Sequence, residues 1–429
     1  MLDRNIQPLI CEPEQVEVLI PKSRIMPNGV PLYVFNAEEH EVVRIDILIK
    51  GGRWHQTQLL QALFTNRLLR EGTRRYSAAT IAEKLDYYGA WLELSSSLEY
   101  ACITLYSLIK YLPEMLDLLE SMIKEPVFPA KELNIIIDNN IQQFKVNLSK
   151  VDFLAHRTLM KAVFGEKHPC GQVLEEKDYR LIEPGLLSAF YHEHYNSDNC
   201  RIYLSGKVTD DCLTRIEEIF GKEPFGLQNR SAHEKQYIPV SSPEKRFFCE
   251  RADAFQSAVK LGTVTIGNKH PDYLKLRVLT TLFGGYFGSR LMSNIREEKG
   301  YTYSISAGLH SYPGSSLLAI NSETTNELVE PLIQEIYHEM SRLQDELVPE
   351  KELSMVKNYM LGEICRSYES AFSLSDAWIF IHTSGLPDSY IRDVWKAVHS
   401  VTSSEIRELA GVYLCKENLK EVISGKKMV

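Results

Sequence analysis

The chain has no apolar run that approaches the length of a membrane span, and its first residues, MLDRNIQPLICEPEQ, lack the basic and apolar regions of a signal peptide. Its eight cysteines are scattered and form no CxxC pair. Basic residues are fewer than acidic ones, 48 against 57, so nucleic acid is not an expected partner. These absences predict a cytoplasmic protein with free thiols that binds neither membranes nor nucleic acid.

The chain also lacks the short motifs that carry much hydrolytic chemistry. Neither HxxEH nor HExxH occurs in it, and no GxSxG sequence marks a serine nucleophile. The densest cluster of metal-binding residue types is His192, Glu193 and His194, but on a helix such neighbours do not share a face. We therefore expect a surface cluster at a helix end, no metal held by this chain, and no serine or cysteine hydrolase.

What the sequence does contain is a glycine-rich stretch, FGGYFGSRLMSNIREEKGYTYS, over residues 283–304. Gly284, Gly285 and Gly288 suit left-handed turns and close approaches of the backbone. A helical pattern follows at once, with Ser289 at its predicted N-cap and Gly300 just past its end. The residues after Gly300 alternate as a strand does, so a helix and a strand are expected to be joined by a tight turn.

Arg296 and Tyr303 lie on these two predicted elements, the first near the end of the helix and the second in the strand. A cation and a phenol are therefore expected to converge. The glycines could instead form a dinucleotide-binding loop, but the strand before it and the later acidic residue are not visible. A loop that only turns the chain, with a surface arginine and a packed tyrosine, is the simpler alternative.

Two elements of the first half are well marked by their patterns. Val43, Ile45, Ile47 and Ile49 alternate with mostly polar residues and predict a half-buried strand. A long helix is expected to begin near Pro129, because proline is favoured in the first turn of a helix.

The order of predicted elements repeats in the second half of the chain. A polar segment over 222–245 contains three prolines and reads as a linker between residues 1–221 and 246–429. Lys131-Glu132-Leu133 recurs as Lys351-Glu352-Leu353, and Ser205-Gly206-Lys207 recurs as Ser424-Gly425-Lys426, at nearly the same offset. The sequence therefore predicts two tandem homologous α+β domains, each a mostly antiparallel sheet with helices packed on one face.

The element order, the duplication and the stretch GG(x)₂GSRL…REEKGYTYS together resemble the pitrilysin/insulinase-type metallopeptidases, which include the mitochondrial processing peptidase subunits. The resemblance runs from about Ile25 to Lys426. It implies two similar α+β domains in each chain, and two chains that close around a peptide chamber. Active members hold zinc in the first domain through HxxEH on one helix and a glutamate on a later helix.

The sequence departs from this pattern at the zinc site. Aligned on Gly72-Thr73, the three functional positions of HxxEH carry Leu63, Asn66 and Arg67, and the third ligand position falls on Asn139. Leucine and a cationic arginine do not ligate zinc, and asparagine is not a general base. The resemblance therefore implies a subunit that needs no cofactor of its own, with zinc held by a homologous partner that carries HxxEH.

In this family an arginine and a tyrosine seven residues apart in the second domain reach the substrate carbonyl, and Arg296 and Tyr303 match them. The resemblance thus implies that this chain supplies these two side chains and a chamber wall to a partner that hydrolyses an extended peptide. The implied substrate contacts on that wall are Gly284, Gly285, Gly288 and Ser289. The alternative is a non-enzymatic peptide-binding or scaffold homodimer of the same fold, and the isolated chain could itself form a homodimer.

Overall fold

The computed structural model describes residues 19–37, 40–227 and 236–427, and its strands form one sheet in each half of the chain. The strands of the first half are β1 Lys22–Ile25, β2 Pro31–Asn36, β3 Val42–Ile49, β4 Trp91–Ser96, β5 Ala101–Leu108 and β6 Cys200–Gly206. Those of the second half are β7 Arg246–Glu250, β8 Gln256–Thr265, β9 Thr302–Tyr312, β10 Ser315–Thr325 and β11 Lys420–Gly425.

The two sheets share one topology. The first has the strand order β1-β2-β6-β3-β5-β4 and the second has the order β7-β11-β8-β10-β9. In each sheet a single pair is parallel, β2 with β6 and β7 with β11, and the other pairs are antiparallel. Without β1, the first order maps strand for strand onto the second. The predicted α+β fold of two homologous units is therefore confirmed.

The helices also recur in the same order in both halves. Those of the first half are α1 Gln61–Leu68, α2 Ala78–Tyr88, α3 Leu112–Lys124, α4 Ala130–Leu148, α5 Val151–Phe164, α6 Glu176–Arg180, α7 Pro184–His194 and α8 Asp210–Ile216. Those of the second half are α9 Tyr273–Thr280, α10 Val329–Asp345, α11 Glu350–Arg366, α12 Ala371–Thr383, α13 Tyr390–Ser400 and α14 Ser403–Tyr413. A further helix over 290–298, here called the 290–298 helix, is π-wound from Met292. The long helix α4 begins directly after Pro129, as expected.

Each sheet receives one helix from the other half of the chain. Helix α5 packs against β8 and β11, where Leu159 and Val163 share an apolar cluster with Ala319. Helix α12 packs against β2 and β6, where Trp378 shares a cluster with Tyr203. The helices of a half cover one face of its own sheet, and this exchange covers much of the opposite face.

Strand β3 is buried on both faces, which corrects its prediction as a half-buried strand. Arg44 and Asp46, which alternate with its apolar residues, are only 7% and 2% exposed. Arg44 Nε donates to Asp46 Oδ1 at 3.0 Å, and Arg44 Nη2 donates to Asp376 Oδ1 of α12 at 2.5 Å. The polar side of β3 therefore holds an ion-pair network that joins the two halves, because α12 covers it.

The described parts of the segment expected as a linker contain neither helix nor strand at 222–227 and 236–245, and residues 228–235 lie outside the described residues. Its second part runs back over α5, since Val240 N donates to Phe164 O at 3.0 Å and Ser242 N to Ala162 O at 2.8 Å. The sequence did not predict β1, β2 or β7. In the described ranges, no helix combines the length and apolar character needed to cross a membrane.

Removing the Arg44 side chain should destabilise the fold strongly. Arg44→Met leaves the Asp46 carboxylate buried without its cation, which typically costs about 3–5 kcal/mol in the free energy of unfolding. The matched control is Arg180→Ala, because Arg180 pairs with Asp138 on the surface at 2.8 Å, with both side chains more than half exposed. We expect it to cost at most about 1 kcal/mol. Chemical denaturation of both variants measures the difference.

The cost of Arg44→Met should also depend on pH. Burial raises the pKa of Asp46, and Arg44 and the Thr104 hydroxyl act against that rise. Without Arg44 the folded state should bind a proton more readily than the unfolded chain, whose aspartates ionise near about 3.9. The stability deficit should therefore be largest near neutral pH and shrink as the pH falls toward that value. A deficit that is constant with pH would mean that an uncompensated Asp46 charge is not its source.

Candidate functional site

The glycine-rich loop between α9 and the 290–298 helix lies against β9. A Cβ added at Gly284 would lie 2.6 Å from both the Cβ and the backbone N of Ala307, so a side chain has no room there. The expected close approach is therefore correct. The expected left-handed turns are wrong, because Gly284, Gly285 and Gly288 are absent from the glycines with positive φ.

The loop presents only part of its length to solvent. Gly285 and Gly288 are exposed, whereas Gly284 and Ser289 are buried. Ser289 precedes the first helical residue, but its hydroxyl has no hydrogen-bond partner in the described part of the chain, so the predicted side-chain N-cap is not formed. The geometry therefore leaves Gly285 and Gly288 accessible to a peptide and corrects the expectation for Gly284 and Ser289, which face the protein interior.

The 290–298 helix is fastened to α10 and α11 on its inner side. Arg290 donates through Nε and Nη2 to the two carboxylate oxygens of Glu352, at 2.8 and 3.1 Å. Asn294 Nδ2 donates to Glu339 Oε1 at 2.7 Å, and Glu339 is 1% exposed. Bidentate and charge-assisted bonds of this kind fix orientation as well as distance. The helix is thus held rigidly behind the residues that it presents outward.

The 290–298 helix ends before Gly300, as the sequence predicted. Gly300 has φ +66°, in the left-handed region, and Tyr301 N donates back to Ile295 O at 2.9 Å. The chain then enters β9 at Thr302. Arg296 and Tyr303 are therefore carried on two elements joined by one tight turn, as the sequence indicated.

Arg296 and Tyr303 do lie together, and an unpredicted aromatic residue joins them. The Arg296 guanidinium carbon is 5.8 Å from the centre of the Tyr303 ring and 4.6 Å from the centre of the Phe287 ring. Tyr303 is 89% exposed and Phe287 63% exposed. Large aromatic side chains so open to solvent, next to a cation, are typical of a contact surface. The signal for Phe287 was available in the sequence as an aromatic pair, Tyr286-Phe287, between Gly285 and Gly288.

The three positions of the lost zinc motif lie on α1. Leu63 and Arg67 are one helical turn apart and partly exposed, whereas Asn66 is fully buried. Asn66 Nδ2 donates to Ser95 O at 2.5 Å and to Cys102 O at 3.1 Å, and Asn66 Oδ1 accepts from the Tyr195 hydroxyl at 3.2 Å. Asn66, which was aligned with the glutamate of HxxEH, is therefore a structural bridge from α1 to the β4–β5 hairpin.

The residue that faces α1 from α4 differs from the predicted one. Asn139 is exposed, and its neighbour Asn140 accepts a hydrogen bond from Arg67 Nη1 at 3.0 Å. Successive residues of a helix point about 100° apart, so a register error of one residue is enough to turn the predicted side chain away. Asn140 is thus the residue of α4 that contacts the motif positions, and the set Leu63, Asn66, Arg67 and Asn140 contains no zinc ligand type.

The cluster at the end of α7 is not wholly on the surface. His192 and Glu193 are exposed, but His194 is buried, with its ring centre 4.4 Å from that of Phe190 and 5.3 Å from that of His55. The two histidines therefore diverge, as helix geometry required. Within the described ranges, no group of three or more His, Cys, Asp or Glu side chains is arranged to hold a metal ion.

Two family models match the chain. One, described as Insulinase (Peptidase family M16), matches residues 34–175, and the other, described as Peptidase M16 inactive domain, matches residues 182–360. Together they cover well over half of the sequence. The chain belongs to peptidase family M16, the pitrilysin/insulinase-type family that its motifs resembled, and the residues at its zinc positions make it a member of the non-zinc-binding type.

Similar proteins and a similar solved structure agree with the family assignment. The chain is 26% identical over 355 residues to a Bacillus subtilis protein named "Uncharacterized zinc protease YmxG", covering 81% of this chain and 84% of that one. It is 24% identical over 389 residues to the Helicobacter pylori "Non-peptidase homolog YmxG", covering 88% and 87%. A crystal structure titled as the peptidase M16 inactive domain from Pseudomonas fluorescens has the same fold, with a TM-score of 0.84 at 22% identity, covering 96% and 99%.

The structural role of Asn66 can be tested by truncation. Asn66→Ala removes the acceptor of the Tyr195 hydroxyl and the donor to two carbonyl oxygens, all in a buried site. Each buried group left unpaired costs about 1–3 kcal/mol, so the midpoint of thermal unfolding should fall by several degrees or more. Asn139→Ala on the exposed face of α4 is the control and should leave it nearly unchanged. Equal effects of the two variants would contradict the bridging role.

Proposed function

We propose that the chain is the catalytically incomplete subunit of a zinc-dependent heterodimeric peptidase. It supplies one wall of a peptide chamber to a homologous partner that carries HxxEH and hydrolyses an extended peptide. The observation that carries this proposal is the Arg296–Tyr303–Phe287 group. Tyr303 and Phe287 are open to solvent, and Arg296 lies on a helix that is bonded to α10 and α11 on its inner side. An ordinary packed loop would have no need of that combination.

The loss of the zinc motif supports the division of labour. Asn66 is fully used by three hydrogen bonds to the fold, and Arg67 is bonded to Asn140. These residues cannot ligate zinc or act as a general base, so hydrolysis needs a second chain. Zinc in that chain would generate the attacking nucleophile from water.

Arg296 and Tyr303 fit the complementary role of stabilising charge on the substrate. As water attacks a peptide carbonyl, negative charge builds on the carbonyl oxygen, and donors already in place there lower the barrier. The phenol of Tyr303 and the guanidinium of Arg296 are such donors. Phe287 also contacts the guanidinium, with its ring centre 4.6 Å from the guanidinium carbon, and this contact limits the orientations that Arg296 can adopt.

The proposed place of action is the cytoplasm, and the proposed substrate is an extended peptide or unfolded segment. The seven described cysteines are free, which is usual in a reducing compartment. In the exposed part of the loop, Gly285 and Gly288 would allow a peptide backbone to approach closely.

A non-enzymatic role is the second candidate, and one observation favours it. The H. pylori relative that matches 88% of this chain is named a non-peptidase homologue. A homodimeric chamber that binds peptides without cleaving them would keep the same exposed aromatic group. Purification of the chain from its native source, with identification of the proteins that accompany it, separates the two. A partner of similar size with HxxEH supports the heterodimer, and a lone homodimer without hydrolysis contradicts it.

In the reconstituted pair, Arg296→Ala and Tyr303→Phe should each lower peptide turnover by about 100- to 1000-fold. Each variant removes a donor to the developing charge. Neither should disturb the core, because Tyr303 is 89% exposed and the Arg296 side chain, 28% exposed, contacts only exposed groups in the described structure, which are the rings of Phe287 and Tyr303 and the carboxylate of Glu297. Assembly with the partner, measured by analytical ultracentrifugation, should not change. Steady-state hydrolysis of a fluorogenic peptide gives the turnover.

The matched controls for this pair of variants are Arg180→Ala and Tyr87→Phe. Tyr87 is 80% exposed on α2, and the Arg180 side chain is 59% exposed at the end of α6. Both controls should hydrolyse the peptide at the original rate. If Arg296→Ala and Tyr303→Phe also keep the original rate, the two residues have no part in the reaction.

A further inference from the structure

Strand β9 is an unprotected sheet edge. It is the last strand in the order β7-β11-β8-β10-β9 and pairs only with β10 in the described structure. Edge strands are usually protected by charged residues or proline, but the 11 residues of β9, TYSISAGLHSY, contain no Asp, Glu, Lys, Arg or Pro. No backbone–backbone hydrogen bond outside the described ladders involves residues 302–312. Its outer edge is therefore free to pair with an added strand.

A cavity of about 780 Å³ opens beside the far end of this strand. Leu309 and Ser311 of β9 line it, as does Gly285 of the glycine-rich loop. Helices α9, α11, α12 and α13 form the other walls. Its aromatic lining residues are Tyr273, Tyr359, Tyr368, Phe380 and Tyr390.

The two acidic side chains that line the cavity are each paired with an arginine. Asp376 is bonded to Arg44, and Glu363 lies 3.7 Å from Arg366. Burial raises the pKa of Tyr368 to about 12, and the nearby Arg277 cation acts against that rise, so the phenol is neutral near pH 7. A cavity walled by neutral aromatic rings, with Arg277 as its cation, suits an aromatic side chain, which can stack and also take a cation on its face.

The side chains of β9 link this cavity to Tyr303. Ile305 and Ala307 are buried under the helices, and Leu309 and Ser311 continue on the same face of the strand. A residue directly opposite Leu309 on an added strand would point its side chain to that same face. Tyr303 is six residues before Leu309, which is roughly 20 Å at about 3.3 Å per residue.

We infer that an extended peptide adds to the outer edge of β9 and places an aromatic side chain in this cavity, about six residues from the bond held at Arg296 and Tyr303. The inference rests on the proposed function for the position of that bond. It assigns the substrate class as extended peptides with an aromatic anchor remote from the site of reaction. Backbone pairing supplies affinity, and the cavity supplies selectivity.

Peptide binding to the full isolated chain tests the inference without any partner. The probes are fluorescein-labelled 20-residue peptides of Ser, Thr and Ala, with one Trp at their centre or with Ala in its place. We expect the Trp peptide to bind about tenfold more tightly, because burial of one aromatic ring is favourable by at least the free energy that a tenfold change in affinity requires. The same Trp peptide with N-methyl groups on alternate residues should lose binding, because it cannot pair with a strand.

Two variants report on the cavity and one on the strand alone. Ser311→Phe fills the cavity and Tyr359→Ala, whose ring is 40% exposed, removes part of its wall. Both should abolish the advantage of Trp over Ala. Ser306→Phe, on the opposite exposed face of β9, is the matched control and should keep it. If Ser311→Phe fails to fold, Tyr359→Ala alone tests whether the cavity binds the Trp side chain. An unchanged Trp advantage in Tyr359→Ala overturns the inference.

Hydrolysis by the reconstituted pair tests the spacing. With Trp moved along the peptide, turnover should peak where Trp is five to seven residues from the cleaved bond, as mapped by mass spectrometry of the products, and a flat profile overturns the inference. Failure of this inference is distinct from failure of the proposed function. Turnover that needs Arg296 and Tyr303 with no Trp effect contradicts only the anchor, whereas Trp-dependent binding without any hydrolysis contradicts only the peptidase role.

Discussion

The exchange of α5 and α12 between the two halves is the constraint on which the structure depends. A sheet buried on both faces needs two layers of cover, and each half provides helices for one face of its own sheet. The opposite face is covered by a helix that belongs to the other half. Removing α12 from the first sheet would expose that face to water and would separate Arg44 from Asp376. The relative position of the two domains is thus a consequence of burial, and the proposed chamber wall depends on it.

The fold of the first half does not depend on a zinc site, because it is held by the packing of these helices. Asn66 makes three buried hydrogen bonds where an active enzyme would keep a free carboxylate. A buried polar group that is fully paired stabilises its surroundings, whereas a carboxylate kept ready for water costs stability. Asn66 is therefore part of the ordinary core, with its amide fully paired. The family's zinc positions lie in the first half only. The group formed by Arg296, Tyr303 and Phe287 in the second half is therefore not affected by their replacement.

The sequence predicted the parts of the structure that depend on local chemistry. Gly300 was identified as a helix stop because only glycine adopts φ +66° without strain, and the structure has it there. The duplication followed from repeated tripeptides and from element order. The sequence could not predict that β3 is buried on both faces, because the covering helix α12 lies more than 300 residues further along the chain. Its alternating pattern is the same whether solvent or an ion-pair network faces the polar side.

The error of one residue on α4 arises because a helix changes direction by about 100° with each residue. Asn139 and Asn140 differ by one position, yet only the second reaches Arg67. Ser289 stands where a cap should be, yet its side chain turns inward. The same rotation lets the 290–298 helix direct Arg290 and Asn294 to the interior while Arg296 faces out. Rigid attachment on one side and partial exposure on the other are thus properties of a single short helix, so the cation of Arg296 can stay fixed in position with only the rings of Phe287 and Tyr303 against it.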